Sequence, residues 1–115
     1  MSESSHLAVL VAENEAMVAT SVEEMLGDLG HRVLGPLSNL PDLLRTIVKA
    51  EFDIALLDVT LSNGQEVYAA ADRLAERGIP FAFMTADQPD FLAAPHLSNY
   101  VLTKPFSLQE LVDCL

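Results

Sequence analysis

Apolar positions along the chain alternate between short continuous runs and longer stretches in which they recur with helical spacing. A continuous run indicates a strand buried on both faces of a sheet, whereas recurrence every three or four residues indicates an amphipathic helix. The predicted strands are Leu7–Ala12, His31–Gly35, Asp53–Leu57, Ile79–Thr85 and Tyr100–Thr103. The predicted helices are Glu15–Leu29, one that begins near Asn39, Gln65–Arg77 and one that begins after Ser107.

Residues with specific backbone preferences mark the ends of these elements. Gly78 stands where the end of a helix favours a left-handed residue, and Pro36 is expected to stop the second strand. Asn39 is of the type that caps a helix N-terminus, and Ser107 begins a capping box with Glu110. The sequence therefore predicts where helices begin as well as where they lie.

The stretch Ala86–Asn99 lacks a clear apolar pattern and holds two prolines. Pro89 suits the first turn of a helix, but Pro95 disfavours helical backbone in the residue before it. At most Pro89–Ala94 can then be helical. We expect a short or irregular fourth helix between the last two strands.

Strands that alternate with helices at this spacing predict an α/β fold with a parallel sheet covered on both faces. Right-handed crossovers leave few arrangements of five strands, and the flavodoxin-like, doubly wound order 2-1-3-4-5 is the commonest. We expect residues 1–115 to form one domain, with Met1–His6 frayed.

Charge and cysteine content narrow the class of protein. The 115 residues include 6 basic and 17 acidic side chains, which gives a formal net charge of −11. Binding to nucleic acid or to an anionic membrane surface requires clustered Lys and Arg, so neither is expected. The single cysteine, Cys114, cannot form an internal disulfide, which favours a reducing, cytoplasmic location.

Polar residues follow four of the five predicted strands. In the predicted order these strands are neighbours, and ligands of such sheets bind beyond the carboxyl ends of the strands. Carboxylate and amide oxygens are ligands that suit Mg²⁺. The residues at the strand ends are Glu13, Asn14, Glu15, Asp58, Thr85 and Lys104.

Three sequence segments around these positions together indicate a particular protein family. They are Leu56-Leu57-Asp58-Val59, Thr85-Ala86 and Lys104-Pro105-Phe106. With the acidic residues after the first strand, they resemble the receiver domain of two-component response regulators over essentially the whole chain. The segment Pro80–Phe83 also resembles single-domain receivers of alphaproteobacteria that carry a PFxFATGY signature, although Met84–Asp87 departs from it.

The resemblance implies a signalling domain rather than an enzyme, with at most self-catalysed phosphotransfer and dephosphorylation. Asp58 would accept a phosphoryl group from a sensor histidine kinase or phosphotransfer protein, and Thr85 and Lys104 would contact that group. Lys104 would precede a cis peptide bond to Pro105. Output would pass through contacts with another protein. The implied ligands of Mg²⁺ are Glu13, Asn14, Asp58 and the backbone carbonyl of Thr60.

Two positions depart from the family pattern. Asn14 replaces the second acidic residue after the first strand, so we expect weakened binding of Mg²⁺, for which the nearby Glu15 could compensate. Val101 stands where the family has a switch aromatic, and Tyr100 lies one residue earlier, on the opposite side of the strand. We therefore hypothesise that phosphorylation orders Ala86–Asn99 through Thr85 and Lys104.

Alternative functions differ in what they require. A degenerate receiver that binds a partner without being phosphorylated is the main alternative, and Asn14 motivates it. An aspartate-nucleophile phosphatase would need a second aspartate at position 60, which is Thr60. A nucleotide-binding domain would need a glycine-rich phosphate loop after the first strand, and the sequence has none there.

Overall fold

A computed structural model describes residues 6–86 and 100–115, which form a five-stranded parallel sheet with strand order β2-β1-β3-β4-β5. The strands are β1 Ala8–Ala12, β2 Arg32–Leu37, β3 Ile54–Asp58, β4 Phe81–Thr85 and β5 Tyr100–Thr103. The helices are α1 Ala16–Asp28, α2 Leu40–Lys49, α3 Tyr68–Glu76 and α4 Leu108–Cys114, and a 3-10 turn spans Ser62–Gly64. The predicted flavodoxin-like order is confirmed. The predicted helix at Pro89–Ala94 and most of the predicted frayed N-terminus lie outside the described residues.

Two hydrophobic layers cover the sheet. Alternate residues of each strand point to opposite faces, so Leu10 packs with α2 and α3, whereas Val11 packs with α1 and α4. All five residues of β3 are buried. The continuous apolar runs in the sequence arise because both faces of the central strands are covered.

The strand β2 continues through Pro36 to Leu37, so the prediction that Pro36 stops it is wrong. In the described sheet β2 pairs only with β1, and an edge strand tolerates a proline because it needs fewer backbone donors. The register between the two strands shifts between Leu10 and Ala12, and Ala12 then pairs with Leu37. This extension brings β2 alongside the end of β1, where the polar residues begin.

Helix caps hold the elements as the sequence predicts. The Asn39 side chain accepts a hydrogen bond from the Asp42 N–H at 2.9 Å, at the start of α2. Ser107 Oγ accepts from the Glu110 N–H, and the Glu110 carboxylate accepts from the Ser107 N–H. Each bond satisfies a backbone donor that the first turn of a helix leaves unpaired. The helix α4 is thereby fixed directly after Lys104-Pro105.

The first turn of α1 exposes Met17, although the apolar spacing suggests a core position. Met17 is 87% exposed. The buried residues of this helix are Ala19, Val22 and Leu26. Because each residue turns the helix by about 100°, Met17 lies on the side opposite Ala19. No helix within residues 6–86 and 100–115 has the length and apolar character needed to cross a membrane.

Protonation of His31 is expected to weaken the fold. The Leu7 N–H donates to His31 Nδ1 at 3.0 Å, which requires that nitrogen to be unprotonated. Burial, with a smaller contribution from His6, lowers the pKa of His31 below its ordinary value of 6.5. Just below pH 6.5 the unfolded chain therefore binds more protons than the folded protein does. The stability that His31 contributes above pH 6.5 is lost as the pH falls through its lower pKa in the folded state.

The measurement is urea unfolding at roughly pH 7.5 and 5.5, on either side of the ordinary histidine pKa. We expect His31→Gln, whose amide oxygen can accept the same hydrogen bond without titrating, to reduce the loss of stability by up to about 1 kcal/mol. An identical pH dependence in the wild-type protein and the variant would contradict this role.

Candidate phosphoacceptor site at the carboxyl ends of the strands

The polar residues predicted to converge lie at one edge of the sheet. Glu13 follows β1, Asp58 ends β3, Thr85 ends β4 and Lys104 follows β5. The backbone fixes their spacing, since Asp58 pairs with Met84 across β3 and β4 and the Lys104 N–H donates to the Thr85 carbonyl at 2.8 Å. The Lys104–Pro105 peptide bond is cis, as predicted.

Lys104 is surrounded by three carboxylates. Its Nζ lies 2.8 Å from Glu13 Oε1, 3.4 Å from Asp58 Oδ1 and 3.6 Å from Glu15 Oε1. The lysine side chain is only 10% exposed. Burial alone would lower the pKa of Lys104, but the carboxylates of Glu13 and Asp58 outweigh burial and raise it. One ammonium group therefore faces three acidic groups, and the site keeps an excess of negative charge.

The Glu13 carboxylate is turned inward. Its side chain is fully buried, and Oε2 accepts a hydrogen bond from the Glu15 N–H at 3.1 Å. Oε1 has no aligned hydrogen-bond donor, so the ion pair with Lys104 offsets the cost of burying this oxygen. Burial and the neighbouring Asp58 raise the pKa of Glu13, and the contacts with Lys104 and the Glu15 N–H only partly oppose this.

An open cavity of about 290 Å³ lies above these groups. It is lined by Asn14, Glu15, Asp58, Val59, Thr60, Thr85, Ala86 and Lys104. The lining includes three of the four predicted metal-binding residues, and Glu13 is the one that it lacks. Glu15 lines the cavity instead, and its side chain is 66% exposed.

The donors around this cavity fit Mg²⁺ as a mixed oxygen set. Asp58 and Glu15 offer carboxylates, Asn14 offers an amide oxygen and Thr60 a backbone carbonyl. No group of three or more His, Cys, Asp or Glu side chains in the described part of the chain is arranged to hold a metal. Mg²⁺ is commonly held by one or two carboxylates and keeps several waters, so it does not need such a group.

A second, more apolar cavity of about 390 Å³ lies between α1 and the segment that joins β5 to α4. Met17, Met25, Pro105 and Phe106 contribute to its walls, and Lys104 and Glu15 connect it to the first cavity. The apolar spacing in α1 would place Met17 in the core, so the sequence gives no sign of this cavity, and only the rotation of the packed helix turns Met17 towards it.

Val101 and Tyr100 lie on opposite sides of β5, as the alternation of side chains along a strand predicts. Val101 is partly buried against the layer formed with α2 and α3, whereas Tyr100 is 49% exposed. Phe83 fills this layer nearby and makes edge-to-face contacts with Tyr68 and Phe81, at ring-centroid distances of 6.0 and 5.6 Å. The hypothesis that Ala86–Asn99 becomes ordered concerns residues that lie mostly outside the described ones.

Curated relatives with a similar sequence are longer proteins. The chain is 26% identical over 110 residues to the transcriptional regulatory protein PdtaR of Mycobacterium tuberculosis. The match covers 93% of this chain and 54% of PdtaR. The chain thus spans about half the length of the curated relatives it matches.

Solved structures of similar fold match most of this chain. SdrG from Sphingomonas melonis Fr1 is 28% identical, with a TM-score of 0.86, and the match covers 96% of this chain and 93% of SdrG. The receiver domain of the sensor histidine kinase PA1611 from Pseudomonas aeruginosa PAO1 is 25% identical, with a TM-score of 0.80. That match covers 94% of this chain and 93% of the other, which has a magnesium ion coordinated in its active site cleft.

A family profile matches most of the chain. The profile described as "Response regulator receiver domain" matches residues 9–115. This range includes every strand and helix described above except Ala8, the first residue of β1. The chain belongs to the response regulator receiver family, whose members are signalling domains of two-component systems.

Proposed function

We propose that Asp58 is the phosphoacceptor of this receiver and that its donor is a sensor histidine kinase or a phosphotransfer protein. The observation that carries the proposal is the placement of Asp58. Its side chain ends the buried strand β3, lines the open cavity and has Lys104 Nζ at 3.4 Å. A carboxylate at this place can meet a phosphoryl donor while a fixed cation lies beside it.

The chemistry is a group transfer to a carboxylate oxygen. A bond forms between an oxygen of Asp58 and phosphorus, while the bond from phosphorus to the donor breaks and the leaving group keeps the electron pair. Lys104 supplies positive charge next to the phosphoryl oxygens, and Thr85 lines the same cavity and offers a hydroxyl. These residues would position and stabilise the transferred group. We propose no catalytic activity for the protein beyond its own phosphotransfer.

The cofactor that fits this proposal is Mg²⁺. Asp58, Asn14 and the backbone carbonyl of Thr60 would hold the ion. Glu13 would not contact the ion and would instead hold Lys104 in place. The bound ion offsets negative charge as the phosphoryl donor approaches Asp58. Because Asn14 contributes no charge, we expect weaker binding than with an aspartate at this position.

The output proposed for this domain is contact with another protein in the cytoplasm. The net charge of −11 disfavours direct contacts with nucleic acid or with an anionic membrane. The segment Pro80–Phe83 supports a place among single-domain receivers with a PFxFATGY-type signature, although Met84–Asp87 departs from it. A similar protein of known structure, PhyR from Bartonella quintana, is an anti-anti-sigma factor, and by analogy this supports a protein partner for this chain.

The alternative is a degenerate receiver that binds its partner without phosphorylation. Asn14 favours it, since weaker binding of Mg²⁺ would slow phosphotransfer. The two functions differ in one measurable property, the covalent modification of Asp58.

The test is incubation with acetyl phosphate and MgCl₂, followed by mass spectrometry of the intact protein. We expect one added phosphoryl group on the wild-type protein and none on Asp58→Asn. Asp28→Asn, the same change at an exposed position near the end of α1, should be modified like the wild-type protein. A folded wild-type protein that stays unmodified under saturating donor and MgCl₂ would favour the degenerate receiver.

A further inference from the structure

We infer that Glu15, rather than Glu13, supplies the carboxylate that this chain's β1–α1 connection offers to a divalent cation, in compensation for Asn14. The inference rests on the proposed function only in placing the cation beside Asp58. It concerns three consecutive residues, Glu13, Asn14 and Glu15, of which the last two line the open cavity and the first does not.

The Glu13 carboxylate is already engaged by Lys104 and by the backbone of Glu15. Its side chain is fully buried, Oε1 lies 2.8 Å from Lys104 Nζ, and Oε2 accepts from the Glu15 N–H. It does not line the open cavity. A cation in that cavity would have to break the shortest ion pair of the site to reach this carboxylate.

The Glu15 carboxylate is available to a cation in the cavity. Its side chain lines the cavity with Asn14 and Asp58, and it is 66% exposed. Glu15 is the N-cap residue of α1, yet its side chain makes no capping hydrogen bond. Its contact with Lys104, at 3.6 Å, is the longest of the three around that lysine. Exposed ion pairs contribute little, so Glu15 can turn to a cation at small cost.

Glu13 also holds the backbone of Glu15 in place. The hydrogen bond from the Glu15 N–H to Glu13 Oε2 spans the turn between β1 and α1. Glu13 is therefore a positioning residue, since it fixes both Lys104 and the backbone of Glu15. The buried acid orders the site, and the exposed acid two residues later provides the negative charge.

Charge balance gives the physical reason. Mg²⁺ sites in proteins typically use one or two carboxylates. With Asn14 neutral and Glu13 paired to Lys104, Asp58 would be the one charged ligand that the predicted set offers to the cavity. Glu15 supplies a second negative charge at the same opening.

The experiment measures Mg²⁺ affinity of the unphosphorylated protein by calorimetric titration and by NMR shifts of the strand-end amides. We expect Glu15→Gln to weaken binding about tenfold, from the loss of one nearby charge in a partly screened site. Glu24→Gln removes the same charge from an exposed position of α1 and should change the affinity less than about twofold.

A second comparison tests compensation. In an Asn14→Asp background we expect tighter binding of Mg²⁺ than in the natural protein. In that background Glu15→Gln should weaken Mg²⁺ binding no more than Glu24→Gln does, because the aspartate now supplies the charge. Equal effects of Glu15→Gln and Glu24→Gln in the natural background would overturn the inference, as would a wild-type protein that binds no Mg²⁺. Failure of the proposed function would show instead as absent phosphorylation of Asp58 with this pattern of metal affinities intact.

Discussion

Replacement of Lys104 by methionine is expected to lower the free energy of unfolding by about 3 kcal/mol, because it leaves a buried carboxylate without its counter-ion. Glu13 is fully buried, and its Oε1 depends on the ammonium group 2.8 Å away. The same substitution removes the cation 3.4 Å from Asp58, so repulsion between the two acids is no longer offset. Urea unfolding near neutral pH measures the loss.

Two further variants separate this ion pair from a general effect of losing a lysine. Lys49→Met removes an exposed lysine from the last turn of α2 and should change the free energy of unfolding by less than about 0.5 kcal/mol. In a Glu13→Gln background, Lys104→Met should cost clearly less than it does alone, because the buried charge has gone. Equal costs in the two backgrounds would show that the ion pair does not stabilise the fold.

Substitution of Gly35 by alanine is the second large effect, with an expected cost of about 3 kcal/mol from backbone strain and overpacking together. Gly35 has a φ of +100°, which side-chain-bearing residues rarely adopt. A Cβ atom there would lie 2.7 Å from the Val11 carbonyl oxygen and 2.8 Å from the Leu37 nitrogen. Both neighbours are backbone atoms of the sheet, so neither can move away without disturbing the pairing of β1 and β2.

Gly78 provides the matched control for that prediction. It also has a positive φ, of +70°, but a Cβ atom at this position would meet nothing within 4 Å. Gly78→Ala should therefore cost only about 1 kcal/mol, from the unfavourable backbone conformation alone. Urea unfolding of the two variants gives the difference, and similar midpoints would mean that close packing against β1 does not restrict position 35.

Much of the fold follows from local patterns in the sequence. The apolar runs locate the central strands β1, β3 and β4 because a strand covered on both faces needs apolar residues at nearly every position. Asn39 and Ser107 mark helix starts because their side chains satisfy the free backbone donors of the first turn. The polar residues after the strands, Asp58 among them, predict where a site lies, and their roles in phosphotransfer stay predictions.

Tertiary structure decided features that depend on a residue's neighbours across the fold. Pro36 lies inside β2 because that strand is at the sheet edge, where a missing N–H is tolerated, and chain order alone does not say which strand is at an edge. Met17 is exposed because the docking of Ala19 and Leu26 sets the rotation of α1.

Tertiary structure also decides which role each acidic residue has. The sequence by itself places Glu13, Asn14 and Glu15 after β1, and their composition is suited to binding a cation. Only the fold brings Lys104 from the far end of the chain to 2.8 Å from Glu13, which commits that carboxylate to an ion pair and leaves Glu15 at the opening. The sequence therefore determined which chemical groups meet at this edge of the sheet, whereas long-range packing determined which of them face each other and which face the cavity.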